Sequence, residues 1–167
     1  LHGGPTLLAA NATLSGLSLP ELADTDLPQP ADLASTALTQ AGPELRAKVN
    51  ELGNNPVRIH AWVRNSVAFA PGWGATQSAE ATYANRAGNA YDIANLLVAM
   101  LRAANVPARY VYGTVEVGAA QVPAWLGVDA NAAAQVLART GVPAQAVSQG
   151  NAIAALRFEH VWVEAYV

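Results

Sequence analysis

The sequence predicts an α+β fold, because helical patterns come first along the chain and strand patterns follow. Three observations carry this. Residues 91–105, "YDIANLLVAMLRAAN", place Ile93, Leu96, Leu97, Met100 and Leu101 at i, i+3, i+4, i+7 and i+8, the spacing of one buried helix face. Upstream, "PELRAKVNELG" and "NPVRIHAWVRN" each set a proline at the first helical position. Downstream, "ARYVYGTVEV" and "AIAALRFEHVWVEAYV" read as strands.

In chain order, residues 1–30 are rich in Pro, Gly, Ser and Thr and are expected to form an irregular arm or linker. Residues 32–39 are a weak helix candidate. The first firm helix opens at Pro43, carries Leu45, Val49 and Leu52 inward, and stops at Gly53. Asn55 caps the second, which Pro56 opens and which ends near Asn65. A short strand over residues 67–70 follows, then a Pro-Gly turn. Residues 72–88 read as a loop with one helical turn at most. The long helix then runs to Asn105, and Pro107 forbids its continuation. Within the stretch from about Gly118 to Ala155, "NAAAQVLARTG" predicts a short surface helix capped by Asp129 or Asn131. The rest of that stretch is expected to serve as a lid or a partner surface.

Composition narrows the function classes. Of 167 residues, 52% are hydrophobic and 13% charged, the profile of a globular chain of one-domain length. The formal net charge is −3, and the nine Lys and Arg are scattered without a basic run, so nucleic acid is not the expected partner. There is no cysteine, hence no disulfide, thiolate metal site or thiol nucleophile in the chain as written. His2, His60 and His160 lie far apart without acidic neighbours at ligand spacing, so no metal or other cofactor is expected. His2 belongs to a loose terminus, and His60 is expected to be solvated on its helix. No membrane span is expected: the longest apolar candidate, "ANLLVAMLRAANV", contains Arg102. The opening "LHGG" lacks the charged and apolar regions of a signal peptide and reads as the edge of an excised domain.

The residues around position 90 suggest chemistry. In "GNAYD", Asn89 is placed as an N-cap and Asp92, three residues on, can reach back to complete a capping box. Position 90 is then the first residue of a long buried helix, facing its positive end and its unpaired N–H groups. A cysteine there would have its pKa lowered, and the same N–H groups would stabilise an oxyanion. In "FEHVWVEAYV", strand alternation puts Phe158, His160, Trp162, Glu164 and Tyr166 on one face. A nucleophile at a helix start with a histidine on a facing strand is the arrangement of a Cys-His pair.

These stretches, "GNAYDIANLLVAMLRAANVPARYVYGTVEV" followed by "EHVWVEAYV", resemble bacterial transglutaminase-like domains, a branch of the papain-like cysteine fold. The family pattern reads Gly-x-Cys-x-Asp-x-Ala, then an apolar helix ending "LLRAAGIPARYV", and later "HAWVEVYV". Gly88, Asp92 and Ala94 match the first motif, Leu101 to Val111 the second, and His160 stands at the family's catalytic histidine. "NPVRIHAWVRNSVAFAP" resembles the elements leading into the site, so the resemblance covers residues 55–167.

The resemblance implies a transglutaminase-like core over residues 31–167, ending before the family's last strands. It implies a position-90 helix packed on an antiparallel sheet that supplies His160. The family's activity is acyl transfer or amide hydrolysis through a thiol, with a peptide or protein substrate. It further implies a bacterial origin and a place within a larger surface protein. The chain departs from the pattern twice: Ala90 holds the place of the cysteine, and the aspartate that orients the histidine would lie beyond Val167.

Three readings of Ala90 therefore stand together: a small residue chosen for helix packing, an engineered Cys-to-Ala change, and a natural pseudoenzyme. For His160 the alternative to a base position is a buried histidine bonded to a backbone carbonyl. Asn89, Tyr91, Asp92 and Trp162 are expected around a binding groove at these two positions, with Trp73 and Trp125 lining its approach.

Overall fold

The computed structural model describes residues 27–167. The expectation of an irregular arm over residues 1–30, and that for His2, lie outside them apart from residues 27–30. Residues 32–39 form no α-helix: a 3-10 turn spans Pro30–Asp32 and a further turn spans residues 37–39. Side chains there bond to nearby backbone instead of leaving it to a helical ladder. Asp32 accepts from the Gln29 N–H at 2.8 Å and Thr39 from the Thr36 N–H at 3.0 Å.

Helix α1 (Pro43–Glu51) and helix α2 (Pro56–Ser66) form where the prolines predict them, and the Asn55 side chain caps α2 through the Arg58 N–H. A two-residue strand β1 (Ala68–Phe69) follows and pairs in parallel with β2 (Ala87–Gly88). Between them the expected loop contains a full helix, α3 (Ala79–Asn85). Its signal is Ser78, whose side chain accepts from the Ala81 N–H, and Arg86 ends it in a left-handed conformation at φ +53°.

Helix α4 (Ala90–Ala103) is the centre of the molecule. The apolar stripe predicts one buried face, but every residue from Asp92 to Leu101 is buried. Helices α1, α2 and α3 cover one side of it and the main sheet covers the other, so no face is left for water. Ile59, Leu45, Val49 and Val63 pack against Leu96, Met100 and their neighbours in this core. Arg102, in the last turn, is held by backbone rather than solvated: its guanidinium donates to Asp32 O, Ala34 O and Ala108 O.

The main sheet is antiparallel in the order β3–β5–β4, with β3 at Ala108–Gly118, β4 at Ala144–Gln149 and β5 at Ala152–Ala165. Residues paired across strands share a face. Ala108, Tyr110, Val163 and Ala165 turn toward α4. Val115, Val117, Leu156 and Phe158 turn the other way and build a second core with α5 (Val122–Leu126) and α6 (Ala130–Arg139). Asp129 caps α6, as one of the two expected capping residues. Helix α5 and strand β4 were not legible in the sequence. The signals of α5 are Pro123 near its start and Gly127 at φ +72° after its end. Strand β4, "AQAVSQ", is an exposed edge with little apolar alternation to betray it.

Candidate functional site

The Gly-x-Ala-x-Asp spacing has a local physical cause. Asn89 is extended (φ −80°, ψ −176°), and its side-chain oxygen accepts from the Tyr91 and Asp92 N–H groups at 2.8 and 3.1 Å. The Asp92 carboxylate folds back to accept from the Asn89 N–H at 3.2 Å, so the capping box is complete. That fold brings Asp92 against the backbone of residue 88. A Cβ at Gly88 would stand 2.7 Å from Asp92 Cβ and 3.3 Å from Thr82 Cγ2, which is why only glycine fits.

Asp92 does a second thing. At 1% exposure it accepts from the Thr76 N–H (2.8 Å), the Thr76 hydroxyl (2.7 Å) and the Gln77 N–H (2.8 Å). The Asn89 amide nitrogen donates to Gly74 O at 2.8 Å. One turn on, buried Asn95 donates to Gln77 O at 3.1 Å and accepts from the Tyr110 hydroxyl at 2.7 Å. Burial pushes the Tyr110 phenol up to about 12, so it stays a donor. The start of α4 thus clamps the loop over residues 72–77 beside it. Thr76, Gln77, Asn95 and Tyr110 escaped the sequence reading. Asn95 carried the one available signal, a polar residue inside an apolar helix run.

This clamp leaves one donor over. An N-terminal helical N–H has no intrahelical acceptor, and the N–H groups of Asn89, Tyr91 and Asp92 are all taken. The Ala90 N–H has no acceptor among the described residues, and Ala90 lines a cleft.

His160 lines the same cleft. It stands opposite Gly113 in the register, on the face of β5 that carries Phe158. The cleft lies where β4 leaves β5: the last β4 pair is Ala144 with Phe158, and the Glu159 N–H donates to Pro143 O at 3.0 Å. Phe158 lies edge-on to the imidazole, with centroids 6.1 Å apart and planes at 87°. Burial pushes the His160 pKa down to about 4, which keeps the ring neutral near pH 7. The ring makes no hydrogen bond among the described residues, neither to a carbonyl nor to a carboxylate.

The rest of the cleft is aromatic and aliphatic. Phe69, Gly72 and Trp73 come from the segment after β1, and Trp125, Leu137 and Val142 from the segment between β3 and β5. The space is about 280 Å3, open solvent included. Trp73 meets Tyr91 edge-on at 5.2 Å, and Tyr91 contacts the exposed ring of Tyr112 at 5.9 Å. The Tyr91 phenol is pushed up by burial first, then by Tyr112 and Glu159.

Of the residues expected around the site, the structure brings Ala90, Tyr91, His160, Trp73 and Trp125 to one cleft. Asn89 and Asp92 lie directly behind it with their polar atoms committed to the clamp. Trp162 lies elsewhere, leaning into the space that Gly113 leaves open: a Cβ at that position would be 3.0 Å from Trp162 Cη2. His60 is half-buried on α2 rather than solvated, and burial lowers its pKa. Among the described residues no group of three His, Cys, Asp or Glu is placed to hold a metal ion, and no helix is long and apolar enough to cross a membrane.

Comparison with known proteins bears on this geometry. The family model of the transglutaminase-like superfamily matches residues 39–167. Among solved structures, the chain is similar to a protein of Cytophaga hutchinsonii provisionally called a cysteine protease. The identity is 29% and the TM-score 0.45, over 51% of this chain and 32% of that one. The chain thus spans about a third of that protein's length. Comparison with curated proteins gives no match.

Proposed function

The chain belongs to the transglutaminase-like superfamily, and from that premise we propose that it is a non-catalytic member whose cleft binds a peptide in extended form. The observation that carries this is the contrast at the start of α4. Ala90, whose N–H has no acceptor among the described residues, and His160 line one cleft with the capping box directly behind it, while the group at position 90 is a methyl. The family's chemistry would need a sulfur there to attack a carbonyl and hold the acyl group as a thioester, with His160 handling the proton. A methyl has no lone pair to attack with, so no covalent step starts at this position. The donor that would stabilise an oxyanion remains, and it can hold the carbonyl of a bound peptide instead.

Two features of His160 support a binding role. Its ring is neutral near pH 7, and nothing orients it among the described residues. The outer edge of β5 beyond Glu159 has no strand beside it among those residues. An aspartate playing the family's orienting role would have to stand on a strand laid along that edge.

A second reading keeps the family's enzymatic role, with Ala90 as a replacement for a native cysteine. The intact clamp around position 90 favours it. The codon at position 90 in the source genome separates the two readings, since a cysteine codon there sinks the first.

The functional test uses the unmodified chain with a glutaminyl peptide and a primary amine. Mass spectrometry should find neither released ammonia nor an isopeptide product, while tryptophan fluorescence reports saturable peptide binding. Product above a protein-free control would refute the non-catalytic reading, and absence of any saturable peptide signal would refute the binding one.

A further inference from the structure

We infer that Tyr112 and Glu159, on the open surface beside the start of α4, hold the guanidinium of an arginine side chain on the bound peptide. The inference rests on the reading above, that a peptide lies across the start of α4, and names the side chain that is gripped outside the cleft.

Strand register builds this surface. Residues paired across β3 and β5 share a face, so Tyr112, Thr114, Glu159 and Val161 stand on the side of the sheet that carries Tyr110 and Val163. Val161 is buried there, whereas Tyr112 is 60% exposed. Aromatic rings continue the surface toward position 90. Tyr112 contacts Tyr91 at 5.9 Å, and Tyr91 meets Trp73, itself 39% exposed, at 5.2 Å. Tyr110 supports Tyr112 from along its own strand at 6.3 Å. These contacts leave most of Tyr112 to solvent, so a flat group can lie on its ring without any cavity being opened.

Glu159 supplies the charge. Of the other carboxylates on the main sheet, Glu116 pairs with Arg157 and Glu164 with Arg109, each at 2.6 Å. Glu159 has no basic partner among the described residues. The Thr114 hydroxyl donates to one of its oxygens at 2.6 Å, which fixes the carboxylate and leaves the other oxygen without a donor among those residues. Its charge also helps to push up the Tyr91 phenol, as expected of close neighbours. An aromatic surface beside an uncompensated carboxylate attracts a cation. A guanidinium fits both parts. Flat and weakly hydrated, it stacks on a ring while its N–H edge forks to the carboxylate, whereas an ammonium is a compact, strongly hydrated point charge. The chain shows the same stacking internally: the Arg86 guanidinium carbon lies 4.5 Å from the Trp62 ring centroid and 4.2 Å from that of Tyr83.

The test titrates the unmodified chain with N-acetyl-argininamide, N-acetyl-lysinamide and N-acetyl-citrullinamide, following the ring resonances of Tyr112 and Tyr91 by NMR. Citrulline keeps the length and planar end of arginine and loses its charge. The arginine amide should bind saturably, about fivefold more tightly than the citrulline amide and about threefold more tightly than the lysine amide. That is the scale of one exposed ring contact and one exposed ion pair. Glu159→Gln keeps an acceptor for the Thr114 hydroxyl and should erase the advantage of arginine over citrulline. Tyr112→Leu, read at Tyr91, should weaken the arginine amide about threefold. Equal affinities for the arginine and citrulline amides would overturn the inference. So would tighter binding of the lysine amide, or an arginine preference unchanged by Glu159→Gln. The comparison of the three amides needs no variant, so it decides even where a variant fails to fold.

Peptides separate this inference from the reading it rests on. Acetyl-Ala-Ala-Arg-Ala-Ala-amide should bind more tightly than the arginine amide and should also shift the Ala90 amide resonance, because its backbone reaches the start of α4. A peptide that binds no more tightly than the arginine amide and leaves Ala90 unmoved would refute the peptide reading alone. A peptide that moves Ala90 but binds equally well with citrulline in place of its arginine would refute the arginine subsite alone.

Discussion

Replacing Asp92 with alanine should unfold the site before it does anything else to it. The carboxylate is 1% exposed and accepts from the N–H groups of Thr76, Gln77 and Asn89 and from the Thr76 hydroxyl. Without it three main-chain donors lose their acceptor. An unsatisfied buried donor costs about 1–3 kcal/mol. The loop over residues 72–77 can open to water, so the low end applies to Thr76 and Gln77. The Asn89 N–H, behind them, stays enclosed, and half of the capping box is lost at about 1 kcal/mol. Together these give about 3–4 kcal/mol, a large part of a small domain's stability. Asp92→Asn keeps the shape and one acceptor oxygen, so it should cost about half as much. Urea unfolding followed by circular dichroism reads both, as a fall in midpoint at unchanged slope. If Asp92→Ala lay within about 0.5 kcal/mol of the unmodified chain, the range of an ordinary surface change, the clamp would not exist.

Gly88→Ala should cost about 1–3 kcal/mol, because its Cβ would stand 2.7 Å from Asp92 Cβ and must displace it; a midpoint equal to that of the unmodified chain would show that the close approach is absent. Tyr110→Phe should cost about 1 kcal/mol by leaving the buried Asn95 oxygen without its donor, and Asn95→Ala, which also removes the bond to Gln77 O, should cost less in that background than in the unmodified chain, a difference that a double-mutant cycle measures and whose absence would contradict the Tyr110–Asn95 bond. His160 makes stability depend on pH. Its folded pKa, about 4, lies below the ordinary 6.5, so the unfolded chain binds the proton more readily. The penalty is absent above about pH 6.5, grows as pH falls toward 4, and reaches about 3 kcal/mol below that. His160→Phe should flatten this part of the stability profile between pH 7 and 4.5, and parallel profiles would contradict the burial of the ring.

Much of this architecture was legible because it is written in local spacing. Asn89 and Asp92 specify a capped helix start through contacts three residues apart, and Pro43, Pro56 and Asn105 mark helix ends by their own backbone preferences. The apolar stripe of α4 announced a core element, although its burial on every side depends on three other helices and a sheet. Helix α5 and strand β4 stayed hidden for the opposite reason. Strand β4 is an exposed edge held by pairing with β5, so nothing in its own residues needs to alternate.

The candidate site divides along the same line. Ala90 and His160 were visible as a pair through the family resemblance, and "GNAYD" by itself established that position 90 opens a capped helix and holds no nucleophile. That Gly88 makes room for Asp92, and that Asp92 holds Thr76 and Gln77, appears when the chain folds back on itself over 15 to 16 residues. Only the tertiary structure brings Trp125, Leu137 and Val142 into one cleft with Ala90 and lowers the His160 pKa by burial. A helix cap is decided by neighbours in sequence, whereas a cleft and its dielectric are decided by residues that meet only after distant elements pack.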